Sequence, residues 1–222
     1  MFNNMGIYIE ALILYIVLFF AGSAGAIANM PQEASDFSVY RELYRIVLYS
    51  IPSIALIWYL VLRGKKPKSA PIKPCKNDLV SGLIALGCLL LTGFTIALMP
   101  SYFGGYPASP PSGSPVAVLE WVVLCTSCFL AAYLEESYFR FYLLSKSKEM
   151  KMGQIQALIF STALFSLCHI YEGPWGFLNS VISGAILSFL YLRYQTLHGI
   201  AIAHGLYNIA VYVINTLLIM RL

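Results

Sequence analysis

The chain has 222 residues, of which 59% are hydrophobic and only 11% are charged. A soluble domain of this size does not need that much apolar surface, so the composition predicts a polytopic membrane protein. Fourteen Lys and Arg against ten Asp and Glu give a formal charge of +4. In a membrane protein this excess mainly reports orientation, and no basic recognition helix suggests a nucleic-acid partner.

Hydropathy predicts an all-α bundle of seven to eight transmembrane helices, at about 20 residues for each span. Seven spans are expected at residues 7–28, 44–62, 79–99, 116–144, 154–170, 177–194 and 198–220. A short amphipathic stretch at 37–43 is expected in the membrane interface. We expect residues 1–222 to form a single membrane domain, in which 1–115 supply scaffold helices and 116–220 carry the functional core.

Basic residues crowd two of the linkers, 63–76 and 146–151. The positive-inside rule places both linkers, and by alternation the N-terminus, in the cytoplasm. Seven spans leave the C-terminus outside, and an additional re-entrant segment would reverse this. Five cysteines, four of them in apolar runs, imply no disulfide framework. Cys125 and Cys128 form a C-x-x-C pair that we assign to packing.

Two adjacent carboxylates and an arginine interrupt the apolar run that begins at Val116: Glu135, Glu136 and Arg140. A charged side chain near the bilayer centre costs roughly 2.5–3.5 kcal/mol, so such a group indicates a functional site. Glu136 and Arg140 are four residues apart and can form an intrahelical ion pair. Glu135 is rotated by about 100° from Glu136 and has no local cation, which suits a general base.

Two histidines lie inside apolar runs and have partners at helical spacing. His169 follows Phe165 by four residues, and His204 precedes Asn208 by four residues. A carboxylate and one imidazole can polarise a water molecule, while a second imidazole and an amide can donate to a developing oxyanion. These groups suffice for peptide hydrolysis without a Ser or Cys nucleophile. His198, at a predicted helix start, is left outside this site.

The same residues allow other interpretations. Two His and two Glu could bind zinc, but there is no His-Glu-x-x-His motif and Arg140 would repel a cation. We therefore expect no metal and no cofactor. Midplane carboxylates and histidines could also relay protons in a small transporter, although no inverted repeat is visible.

Three motifs, in this order on successive apolar segments, resemble those of the CAAX-protease and bacteriocin-processing (CPBP, or Abi) family of intramembrane glutamic endopeptidases. They are Glu135-Glu136-x-x-x-Arg140, Phe165-x-x-x-His169 and His204-x-x-x-Asn208. The resemblance covers about Val116 to Asn208. The sequence departs from the family's usual pattern at two positions. Phe141 stands where a glycine is common, and His198 stands where a small polar residue is common.

The resemblance implies that Glu135 activates water with His169 as its partner. It implies that His204 and Asn208 form an oxyanion hole, with Glu136, Arg140 and Phe165 in support. It also implies a membrane-associated peptide or protein substrate, either lipidated or carrying a C-terminal sorting signal. A non-catalytic immunity or chaperone-like protein on the same fold is the main alternative.

The small size of the chain fits a prokaryotic plasma-membrane member of such a family. Helix rise places Glu135 about 15 Å from a cytoplasmic end near Lys146, and His169 about 24 Å from a start at Gly153. From these depths we expect the site to open to the cytoplasmic side.

Overall fold

The computed structural model of the protein describes residues 2–20, 37–63, 74–105 and 115–219. Every regular element in these ranges is a helix, which confirms the predicted all-α bundle. We number the helices α1 (Phe2–Tyr15, continued by Ile16–Phe20), α2 (Val39–Arg63), α3 (Lys76–Phe103), α4 (Val118–Lys146), α5 (Gln154–Leu167), α6 (Gly173–Tyr194) and α7 (His198–Ile219).

Five of these helices are long and apolar enough to cross a membrane: α2, α3, α4, α6 and α7. The other two, α1 and α5, are apolar but shorter. Each of the seven predicted spans therefore contains a helix, and five of these helices, as far as the described residues extend, are long enough to cross a membrane completely. Parts of the first and last predicted spans, residues 21–28 and 220, lie outside the described residues.

The amphipathic stretch at 37–43 is not a separate interfacial element. Helix α2 begins at Val39 and runs through it without a break to Arg63. Ser38 caps this start, because its hydroxyl accepts from the backbone N–H of Arg41. Below the cap, buried Glu42 pairs with Arg45 at 2.7 Å and accepts from Ser127 of α4 at 2.6 Å. This polar cluster fixes α2 against α4.

Helix α5 ends earlier than predicted, at Leu167 instead of residue 170. The chain then makes a single 3₁₀ turn, Ile170–Glu172, and α6 starts at Gly173, four residues before its predicted start. Gly173 has φ +82°, a conformation that L side chains rarely adopt. Pro174 follows in the first helical turn, where its missing N–H is not needed.

Helices α3 and α7 approach each other closely through small residues. A Cβ on Gly199 would lie only 2.0 Å from the carbonyl oxygen of Asp78, and one on Gly82 would lie 2.9 Å from the Gly199 carbonyl oxygen. The Asp78 carboxylate accepts from the N–H of Gly199 at 2.9 Å and of Cys75 at 2.7 Å. One carboxylate therefore satisfies donors at the starts of both helices.

The centre of the bundle is the second half of α4. Nine consecutive residues, 136–144, are buried, and the turn Ser137–Tyr142 is π-helical. Helix α1 covers this segment: Tyr138 donates to the Ala11 carbonyl oxygen and Tyr142 donates to the Glu10 carboxylate. Glu10 thus anchors α1 to α4.

Candidate active site

The two adjacent glutamates of α4 have different surroundings. Glu136 is fully buried, and its Oε1 accepts from Nη1 of Arg140 at 3.0 Å. The second guanidinium nitrogen, Nη2, donates to the Gly184 carbonyl oxygen of α6 at 3.1 Å. The guanidinium also lies 4.5 Å from the ring centroid of Phe165. The predicted intrahelical pair is present, and it joins α4 to α5 and α6.

His204 of α7 lies between the two glutamates. Its Nδ1 is 2.9 Å from Oε1 of Glu136, and its Nε2 is 3.7 Å from Oε2 of Glu135. An ionised carboxylate only accepts, so the hydrogen of this bond is on Nδ1. The other ring nitrogen, Nε2, faces Glu135.

Glu135 is the open member of the pair, with 20% of its side chain exposed. Its Oε2 atom is itself buried and has no hydrogen-bond partner among the described residues. A buried carboxylate oxygen without a partner is costly, so it favours a bound donor such as water. This oxygen is the one that lies nearest to Nε2 of His204.

His169 occupies the turn immediately after α5. Its Nδ1 lies 2.8 Å from the Phe165 carbonyl oxygen, and a carbonyl only accepts, so Nδ1 is the donor. In the neutral ring Nε2 is then left as an acceptor. The Phe165 ring lies between the two imidazoles, with centroids 4.6 Å from His169 and 6.0 Å from His204. Glu135 is within electrostatic range of His169.

Asn208 lies one turn beyond His204 on α7 and is half-buried. Its side-chain amide makes no hydrogen bond to any described residue. The structure thus links Glu135, Glu136, Arg140 and His204 directly, places Phe165 and His169 against them, and leaves the Asn208 amide uncommitted. Within the described ranges, no group of three His, Cys, Asp or Glu side chains has the arrangement of a metal site.

Residues 117–210 match the family model described as type II CAAX prenyl endopeptidase, Rce1-like. This segment is similar to that family. It begins one residue before α4 and ends two residues after Asn208, so it contains all seven predicted site residues. The match is consistent with the predicted CPBP family and indicates a membrane endopeptidase. No curated protein and no solved structure matches the chain.

The matched segment contains two residues near the site that the sequence analysis did not identify. The Tyr171 ring stacks on His169 at a centroid distance of 6.5 Å. The Glu172 carboxylate is within electrostatic range of His169, His204 and Glu135. The sequence contained a signal for Glu172, because it is a lone carboxylate three residues after His169 in a largely apolar stretch.

Proposed function

We propose that the protein is an intramembrane endopeptidase that hydrolyses a peptide bond with Glu135 as the general base. The observation that carries this proposal is the unpartnered Oε2 of Glu135, 3.7 Å from Nε2 of His204. The Oε2 atom of the neighbouring Glu136 is also without a partner, but Glu136 is fully buried and its Oε1 is committed to Arg140 and His204, whereas Glu135 is partly exposed. Glu135 is therefore the carboxylate that can accept a proton.

In the proposed reaction, a water molecule donates one hydrogen bond to Glu135 and the other to Nε2 of His169. As the water oxygen attacks the scissile carbonyl carbon, Glu135 takes the proton and the carbonyl electron pair moves to oxygen. Collapse of the tetrahedral intermediate breaks the C–N bond, and Glu135 returns the proton to the leaving amine. Both proton transfers, from water to Glu135 and from Glu135 to the leaving amine, therefore need no group beyond this chain, the substrate and water.

The oxyanion is assigned to His204 and Asn208. Nδ1 of His204 already carries a hydrogen towards Glu136, so donation from Nε2 requires the imidazolium form. The Glu136 carboxylate stabilises that cation at 2.9 Å. The uncommitted Asn208 amide supplies the second donor. Removing one donor of this kind typically costs a factor of about 10²–10³ in kcat.

The substrate in this proposal is a membrane-associated peptide or protein, lipidated or carrying a C-terminal sorting signal. The glutamic mechanism requires no metal. We further propose a prokaryotic plasma-membrane location with a cytoplasmic N-terminus, and a division into scaffold helices (1–115) and a catalytic core (116–220). Support for the orientation comes from the basic linkers 63–76 and 146–151.

The decisive variant is Glu135→Gln, which keeps the size of the side chain but cannot take a proton. Its matched control is Glu120→Gln on the same helix, because Glu120 only caps the start of α4 through the N–H groups of Val116 and Ala117. Purified protein in liposomes is assayed with a quenched-fluorescent farnesylated CAAX peptide. Membrane peptidomes of cells that express each form are compared in parallel.

We expect Glu135→Gln to lose cleavage in both measurements while Glu120→Gln retains it. A chelator should leave the wild-type rate unchanged. Cleavage by Glu135→Gln at the wild-type rate would refute the proposed mechanism.

A further inference from the structure

Helix α6 packs directly against Phe165 of α5 at a glycine, Gly184. This residue is buried in the middle of α6, where its backbone is helical, so no positive φ explains the glycine. Glycine is disfavoured inside a helix relative to alanine. A Cβ at this position would lie 2.9 Å from Cδ1 of Phe165 and 3.3 Å from Cγ2 of Thr162. The missing side chain therefore leaves room for the Phe165 ring.

The Phe165 ring is only 2% exposed and has four further neighbours. Phe139 of α4 meets it edge to face, with 5.3 Å between ring centroids, and the Arg140 guanidinium lies 4.5 Å from its centroid. The imidazoles of His169 and His204 lie at centroid distances of 4.6 Å and 6.0 Å. Because protein interiors are close-packed, a ring in these surroundings cannot move without displacing a neighbour.

A side chain at position 184 would move the Phe165 ring. Carbon atoms in contact normally lie about 3.5–4.0 Å apart, so a methyl group there would require a shift of roughly 0.6 Å or more. Of the two imidazoles, His204 is held by the Glu136 carboxylate at 2.9 Å. His169 lies beyond the end of α5, and its Nδ1 donates to the carbonyl oxygen of Phe165 itself. His169 would therefore follow Phe165 more readily than His204 would.

We infer that Gly184 is a positioning residue of the candidate site. Its missing side chain sets the place of the Phe165 ring and, through that ring, the separation of His169 from His204. Gly184 touches no reacting atom and acts through Phe165. The consequence for cleavage rests on the proposed function, in which His169 holds the attacking water with Glu135. A misplacement of about 1 Å can cost a factor of about 10² in rate.

The first test observes the imidazoles by NMR and needs no substrate. The chain has three histidines, so full-length protein with isotope-labelled histidine in detergent micelles gives a small set of ring signals. Substitution of each histidine by Gln assigns its signal. We expect Gly184→Ala to shift the signal of His169 most, that of His204 less and that of His198 not at all. Gly87→Ala, whose Cβ would have nothing within 4 Å, is the matched control and should shift none of them.

The second test is a double-mutant cycle of Gly184→Ala and Phe165→Leu in the liposome cleavage assay. Leucine has no ring to displace, so alanine at position 184 should cost little in that background. We expect Gly184→Ala alone to lower kcat by up to about 10²-fold with little change in KM. The double variant should then be as active as Phe165→Leu alone, which a general loss of stability would not produce.

Two results would overturn the inference. One is that the signals of His169 and His204 stay at their wild-type positions in Gly184→Ala. The other is an equal loss of kcat in both Phe165 backgrounds, since alanine would then act by a route that does not include Phe165. If Gly184→Ala alone gives no single gel-filtration peak, recovery of that peak by adding Phe165→Leu supports the inference, and no recovery overturns it. If the wild-type protein cleaves no peptide, the proposed function fails, while the histidine signals still decide where Gly184 places the imidazoles.

Discussion

The buried pair of Glu136 and Arg140 gives the sharpest stability prediction. Arg140→Met preserves side-chain length but removes a charged hydrogen bond to Glu136, one to the Gly184 carbonyl oxygen and the stacking on Phe165. Breaking a fully buried ion pair by removing one partner costs about 3–5 kcal/mol, largely because the remaining charge is left uncompensated. We expect a loss of free energy of unfolding in that range.

The double variant tests the cause of this loss. Glu136→Gln combined with Arg140→Met removes both charges, and the Gln carbonyl can still accept from Nδ1 of His204. We therefore expect the double variant to be more stable than Arg140→Met alone. Arg193→Met, at an exposed position in the last turn of α6, is the control that should change little.

The assay is reversible unfolding in mixed detergent micelles, followed by tryptophan fluorescence. Two results would refute the reasoning. One is a midpoint for Arg140→Met equal to that of Arg193→Met. The other is a double variant that is less stable than Arg140→Met, since the uncompensated charge would then not be the main cost.

Two further predictions concern α7. Gly199→Ala should lower the thermal midpoint, because the added Cβ would lie 2.0 Å from the Asp78 carbonyl oxygen. The control is Gly87→Ala, whose Cβ would have nothing within 4 Å and which should be neutral or slightly stabilising. Equal midpoints for the two variants would contradict the close α3–α7 contact. Asn208→Ala should lower kcat by about 10²–10³ with little change in KM, as expected for a lost oxyanion donor. A raised KM at unchanged kcat in the liposome assay would instead assign Asn208 to substrate binding.

The contacts that could be predicted best from the sequence are those between residues of the same helix. Residues four apart lie on one face, so the pairing of Glu136 with Arg140 follows from spacing alone. The same rule separates Glu135 from that pair. The helical character of all seven apolar runs was equally predictable, because lipid leaves the backbone few alternatives.

Contacts between helices were not predictable from spacing. His204 was expected beside the oxyanion with Asn208, yet it also holds Glu136 through Nδ1 and faces Glu135 through Nε2. The short α5 was missed for a different reason. Hydropathy continues through residue 170, while the backbone is redirected by Gly173 at φ +82°. That early end places His169 in a turn beside Glu172 instead of within a helix.

The position of His204 between two carboxylates explains how charge can stay balanced during the proposed reaction. Glu136 and Arg140 neutralise each other, so Glu135 is the carboxylate that would balance the imidazolium form of His204 that the proposed reaction requires. When Glu135 takes the proton from water, its charge disappears and a new one forms on the substrate oxygen. If that oxygen replaces Glu135 as the partner of Nε2, the negative charge moves a short distance and remains next to the same cation. An isolated charge is costly in a medium of low dielectric constant, and this arrangement avoids creating one.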